Sequence, residues 1–106
     1  MKNASRARGA DLVVAADVFG YIGDLGAVFE AVARALIGGG RLAFTVETHD
    51  GEGYRLGPSM RFAHSAPYVR ETAVRAGLRE LLLAYVSIRR EAGLEAPGLL
   101  GVFARG

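Results

Sequence analysis

The 106 residues include no cysteine, which excludes disulfides and thiolate metal sites. No apolar run approaches the ~20 residues that a membrane helix needs. The basic start, with Lys2, Arg6 and Arg8, is not followed by the apolar stretch of a signal peptide. Charge of one sign is scarce too: 13 Lys and Arg against 11 Asp and Glu leave a net +2. Apart from the start and Arg89-Arg90, the basic residues are dispersed, as on a solvated surface rather than a nucleic-acid-binding one. Internal repeats and low-complexity tracts are also missing. These absences leave one globular domain, about half apolar, expected in the cytoplasm without a membrane or nucleic-acid partner.

What is present begins with Asp11-Leu-Val-Val-Ala-Ala-Asp17. Residues 11–16 are apolar without alternation, as in a parallel strand buried on both faces. Residues 1–9 read as a frayed lead-in, so the domain spans 10–106. After Gly20 and Gly23, Asp24 caps a helix whose apolar face is Leu25, Val28, Phe29, Val32 and Leu36. Glu30 and Arg34 are spaced for an ion pair on its other side. Gly38–Gly40 stops that helix, and it is no phosphate cradle because no helix follows it. Residues 41–47 form a second strand, giving a βαβ unit with a right-handed crossover.

A long loop, 48–64, carries aromatics, histidines and arginines, which argues for a functional loop. Ser65 then caps a second helix with Pro67 in its first turn and Val69, Thr72, Ala73 and Ala76 on its buried stripe; Gly77 ends it. Residues 78–88 read as a long strand, 89–97 as a hairpin loop, and 99–104 as an antiparallel last strand.

Asp17 stands just past the carboxyl end of the first strand, where such sheets bind ligands. It either acts on a ligand or caps the following turn. Tyr21 either lines a pocket or packs on the first helix. Glu47 ends the second strand, with His49 and Asp50 after it. Glu47, His49, Asp50 and His64 lack metal-ligand spacing, so no metal is expected. Ser59 and Ser65 lack a supporting histidine–carboxylate arrangement.

The segments 11–25, Gly39–Glu47, Gly53-Tyr-Arg-Leu-Gly-Pro-Ser59 and Arg61-Phe-Ala-His-Ser65, met in this order, resemble the C-terminal half of a class I S-adenosylmethionine-dependent methyltransferase. The wording is similar to the predicted methyltransferases often joined to tetratricopeptide repeats. Gly38 replaces the proline that this group usually carries.

The resemblance implies an α/β fold: a partial Rossmann-like sheet of about four strands, three parallel plus a C-terminal antiparallel one, with two main helices. It implies S-adenosylmethionine as cofactor, lying against Ala15, Ala16, Asp17 and Val18, and it gives Asp17 and Tyr21 the catalytic positions. It implies substrate contacts from Glu47, His49, Tyr54, Arg55, Arg61 and His64, the acceptor being a small molecule or a protein. The family's glycine-rich loop and acidic ribose-binding strand cannot be placed in this sequence. The expectation is therefore a C-terminal portion of a larger or split enzyme, weak or inactive alone. Its strand at 11–16 becomes a sheet edge that pairs with a complementary N-terminal half or with another copy. The alternative is a non-catalytic dimerisation or regulatory domain that keeps a remnant of the fold.

Overall fold

The computed structural model describes residues 9–16, 18–57, 60–89 and 93–106. The expected lead-in, except Gly9, lies outside them, and so does Asp17. The chain runs β1 (Ala10–Ala15), a short 3-10 turn (Phe19–Tyr21), α1 (Gly26–Ala35), β2 (Leu36–Glu47), β3 (Tyr54–Leu56), β4 (Phe62–His64), α2 (Ala66–Arg75), β5 (Leu78–Arg89) and β6 (Glu95–Arg105).

The α/β class is as expected, but the sheet is corrected in count and in pairing. It has six strands, with parallel ladders for β1–β2 and β2–β4 and antiparallel ladders for β2–β6, β3–β4 and β5–β6. Two of the six, β3 and β4, form a small hairpin inside the stretch read as loop. The last strand inserts between β2 and β5, so β5 points the same way as β2 but bonds to its antiparallel neighbour. On its other side β2 meets β1 first and β4 beyond it, through Glu47 opposite Ala63. Among the described residues β1 pairs with β2 alone and lies at the sheet margin.

Register sorts the strand residues onto two faces. Leu42, Phe44 and Val46 lie opposite Phe103, Gly101 and Leu99, and Val13 and Ala15 share their side. Both helices pack on this face, and Phe29 of α1 and Val69 and Ala73 of α2 close the core there. Phe44 is at its centre, with ring centroids 5.6 Å from Phe19, 5.5 Å from Phe29 and 5.9 Å from Phe103.

Asp24 Oδ1 accepts the Gly26 N–H at 2.9 Å, but Asp24 stands one residue ahead of the N-cap, Leu25, which gives α1 no side-chain cap. The glycine triplet does not end that helix. Leu36 is already extended (φ −84°, ψ 145°), because its side chain is drawn into the core and is 1% exposed. Gly38–Gly40 belong to β2 instead, where the ladder slips from Ala10 opposite Leu36 to Leu12 opposite Arg41. Gly39, at φ +80°, absorbs that slip with a backbone that only glycine adopts cheaply. Among the described residues the i,i+4 ion pair is Glu71–Arg75 on α2, at 3.2 Å, and the expected Glu30–Arg34 pair is not found.

β6 begins earlier than its apolar run suggests and includes Pro97. The ladder with β2 starts only at Gly98, and the Pro97 carbonyl accepts the Thr48 N–H at 3.0 Å, so a proline fits there. α2 follows expectation closely: Ser65 Oγ accepts the Tyr68 N–H at 3.3 Å with Pro67 in the first turn. Ser65→Ala should therefore cost about 1 kcal/mol, seen as a lower urea midpoint at unchanged slope. No change in midpoint would deny the cap its role.

Candidate active site

The carboxyl ends of β1 and β2 open toward the 3-10 turn and the segment that enters β4. Three side chains meet there. The Arg61 Nε donates to Glu47 Oε2 at 3.1 Å, and Nη1 donates to the Tyr21 hydroxyl at 2.9 Å. The guanidinium carbon is also 4.9 Å from the Tyr21 ring centroid. Glu47 and Arg61 are largely buried at 13% and 15% side-chain exposure, whereas Tyr21 is 69% exposed. Arg61 reaches this position across Gly20, where a Cβ would stand 2.8 Å from its Nη2. Any larger residue at position 20 would push the guanidinium away.

Beneath this cluster is a buried polar lock. His64 is 0% exposed. Its Nε2 lies 2.8 Å from the Ile22 carbonyl oxygen and 3.1 Å from that of Gly23, so Nε2 carries the proton and donates. Nδ1 is then a bare acceptor, buried and without a hydrogen-bond partner among the described residues. Burial pushes the His64 pKa below its ordinary 6.5 despite the two carbonyls, which pull the other way. The ring stacks on Tyr68 at 6.0 Å and leans on Tyr54 at 6.2 Å. The Tyr68 hydroxyl accepts the Leu25 N–H at 2.9 Å and approaches Asp24 Oδ1 at 3.4 Å. Burial raises its phenol pKa. Thr48 Oγ1 donates to the His64 carbonyl at 2.7 Å. The hairpin, the 3-10 turn and both helix starts are thus held together.

The residues named from the sequence divide accordingly. Tyr21, Glu47 and Arg61 come together. Tyr21 does pack, but on Arg61 rather than on the helix. His49 is spent on its own loop, with Nδ1 accepting the Gly51 N–H at 2.9 Å and Nε2 3.2 Å from the Gly53 carbonyl oxygen. Tyr54 is half exposed and packs edge-on against Phe62 and Tyr68. Arg55 is exposed on β3. His64 is enclosed and supports the site from below. Ala15 is buried at the end of β1, and Ala16 and Val18 are exposed at its tip. Among the described residues no three His, Cys, Asp or Glu gather as metal ligands. No helix of the described residues is long and apolar enough to cross a membrane.

Sequence reading passed over Phe19, Gly20 and Tyr68. The signal for Tyr68 was its place two residues into a Ser-capped, proline-started helix; Gly20 carried none.

No protein-family model and no curated protein matches the sequence. Solved structures do. A methyltransferase from Methanosarcina mazei, described as S-adenosylmethionine-dependent, superposes with TM-score 0.73 at 12% identity over 98% of this chain and 65% of its own length. The fold is that of the S-adenosylmethionine-dependent methyltransferases. N-methyltransferase NodS of Bradyrhizobium japonicum WM9, in complex with S-adenosylhomocysteine, gives TM-score 0.61 at 21% identity over 95% of this chain and 48% of its own. The [4+2]-cyclase SpnF gives 0.73 at 15% identity over 92% and 50%. The methyltransferase fold thus also serves a cyclase, and it does not by itself fix the reaction. This chain spans from about half to two thirds of the length of these methyltransferase-fold proteins.

Proposed function

We propose that this chain forms the substrate side of an S-adenosylmethionine-dependent methyl-transfer site within a larger or split enzyme. The observation that carries the reading is the Tyr21–Arg61–Glu47 cluster at the carboxyl ends of β1 and β2, the ligand end of such a sheet. When bound, S-adenosylmethionine supplies a methyl group on a positively charged sulfur. The described residues fit one wall of its pocket: Ala16 and Val18 offer a small apolar surface at the tip of β1. They offer nothing there for ribose hydroxyls, so that grip comes from a polypeptide pairing with β1.

Methyl transfer needs the acceptor atom in line with the methyl carbon and its leaving sulfur, so positioning does most of the work. Tyr21 presents an exposed ring held by Arg61, and Glu47 makes the charged pair net neutral. A flat or neutral acceptor, small molecule or protein side chain, suits this wall better than a strongly anionic one. Asp17 takes the acceptor's proton or orients it.

Calorimetric titration of the folded chain with S-adenosylhomocysteine tests the reading. Weak binding is expected, reduced at least threefold by Val18→Glu. No heat at millimolar ligand, from a chain shown to be folded, would remove the cofactor from this fragment. The second reading, a non-catalytic dimerisation domain, is favoured by the sheet face opposite the two helices, which bears Leu12, Val14, Leu82 and Val102 and which no helix of the described residues covers.

A further inference from the structure

Arginines that are dispersed along the sequence are partly gathered by the fold. At the end of the sheet away from Glu47, α1 and α2 run out beside the last residues of β6, and an open cleft of about 330 Å³ lies between them. Arg34, Arg75 and Arg105 line it, one from each element, with Glu30 as the one acidic side chain and the small residues Ala33 and Gly77 leaving the space. Leu78 lies opposite Arg105 in the ladder, so the end of β6 stands beside the turn that leaves α2. Arg105 Nη1 donates to the Leu36 carbonyl oxygen and so ties β6 to the end of α1. The rest of its five-donor fork is left for a ligand. Arg75 pairs with Glu71 at 3.2 Å, but both side chains are mostly exposed, so the pair is weak and exchangeable. Arg34 is exposed and makes no ion pair among the described residues.

The negative ends of two helix dipoles account for a single arginine on each helix. They do not account for a third guanidinium brought in by β6, or for a concave site with three positive side chains and one carboxylate. We propose that this cleft binds a compact anion that carries a diphosphate group. Guanidinium forks match phosphate oxygens in pairs. The volume is at the lower end of small-molecule sites, roughly 300–1,000 Å³, which suits two linked phosphates better than an extended polyanion. A single phosphate cannot engage three forks that converge from three elements, whereas a diphosphate offers oxygens to all of them. The helix carbonyls and Glu30 oppose the ligand's charge, so the affinity expected is submillimolar rather than nanomolar. The lining comes from α1, α2 with the turn after it, and the end of β6; β1, at the sheet margin, contributes none of it. The inference does not depend on methyl transfer, whose site lies at the other end of β2.

Calorimetric titration of the chain with inorganic pyrophosphate at neutral pH should show one site, and sulfate should bind at least tenfold more weakly. Arg34→Gln should weaken pyrophosphate binding at least fivefold, whereas Arg55→Gln, exposed on β3, should leave it unchanged. Glu30→Gln should strengthen it at least twofold, a gain that damage to the fold cannot produce. ADP separates the sources of the group: binding at least tenfold tighter than pyrophosphate makes the ligand a nucleotide, and equal or weaker binding makes it diphosphate itself. No binding at millimolar pyrophosphate, sulfate binding as tightly, equal effects of the two arginine variants, or no gain from Glu30→Gln would each overturn the proposal.

Discussion

Phe44→Ala should lower the stability of the chain by about 3–5 kcal/mol, and no other single substitution of a core side chain should cost more. The ring is 1% exposed and touches Phe19, Phe29 and Phe103, so its removal leaves a void that three neighbours cannot fill together. It also joins the 3-10 turn, α1 and the two central strands, so the loss is felt in both layers. A domain of this size has roughly 5–15 kcal/mol in all, and the variant should be partly unfolded at 37 °C. Urea melts followed by circular dichroism give the number. Phe44→Leu should recover more than half of the loss, because it refills most of the volume. A shift below 1 kcal/mol for Phe44→Ala would mean that the aromatic cluster does not hold the layers together.

Acid should loosen the site before it unfolds a typical domain, and His64 is the reason. In the unfolded chain His64 titrates near 6.5, and in the folded chain lower, because burial penalises the charged ring. The folded state therefore binds fewer protons between those two values. Stability is complete above pH 6.5 and falls as pH drops from there through the folded pKa. The slope reaches at most about 1.4 kcal/mol per pH unit. Charging the ring places a second N–H at Nδ1, which has no hydrogen-bond partner among the described residues. His64→Gln keeps a donor for the Ile22 and Gly23 carbonyls and cannot titrate. Its melting temperature should be lower at pH 8 and should lose less than the parent's between pH 6.5 and 5. An identical acid branch in both proteins would assign the loss to other groups.

The order strand, helix, strand, helix, strand, strand was legible because each element carries its own punctuation. Ser65 with Pro67 and Gly77 bounded α2 to within a residue, and Asp24 marked the start of α1. The glycine triplet misled because glycine also permits a slipped ladder, and Leu36 had already been pulled into the core. The β3–β4 hairpin was illegible: three-residue strands have no periodicity to read, and they exist because Glu47 offers β4 a place past the end of β1. Tyr21, Glu47 and Arg61 were named separately, but nothing in their spacing announced that one guanidinium would bind the other two. His64 was read as a substrate contact because the resemblance places its loop over the substrate. Its burial follows from β4, which the sequence did not reveal.

The place of β6 has a consequence for synthesis. It is the last strand of the sheet to be made, yet it lies inside, between two strands made earlier. Until residues 95–105 emerge, β2 and β5 each have an open flank and Phe44 has no stacking partner from Phe103. The growing chain can form its helices and the β1–β2 pair, but it cannot close its core. It therefore waits with apolar strands exposed, which is when nascent chains aggregate or recruit chaperones. Loss of the β6 segment would leave β5 without a ladder partner and the sheet reduced to β1, β2, β3 and β4.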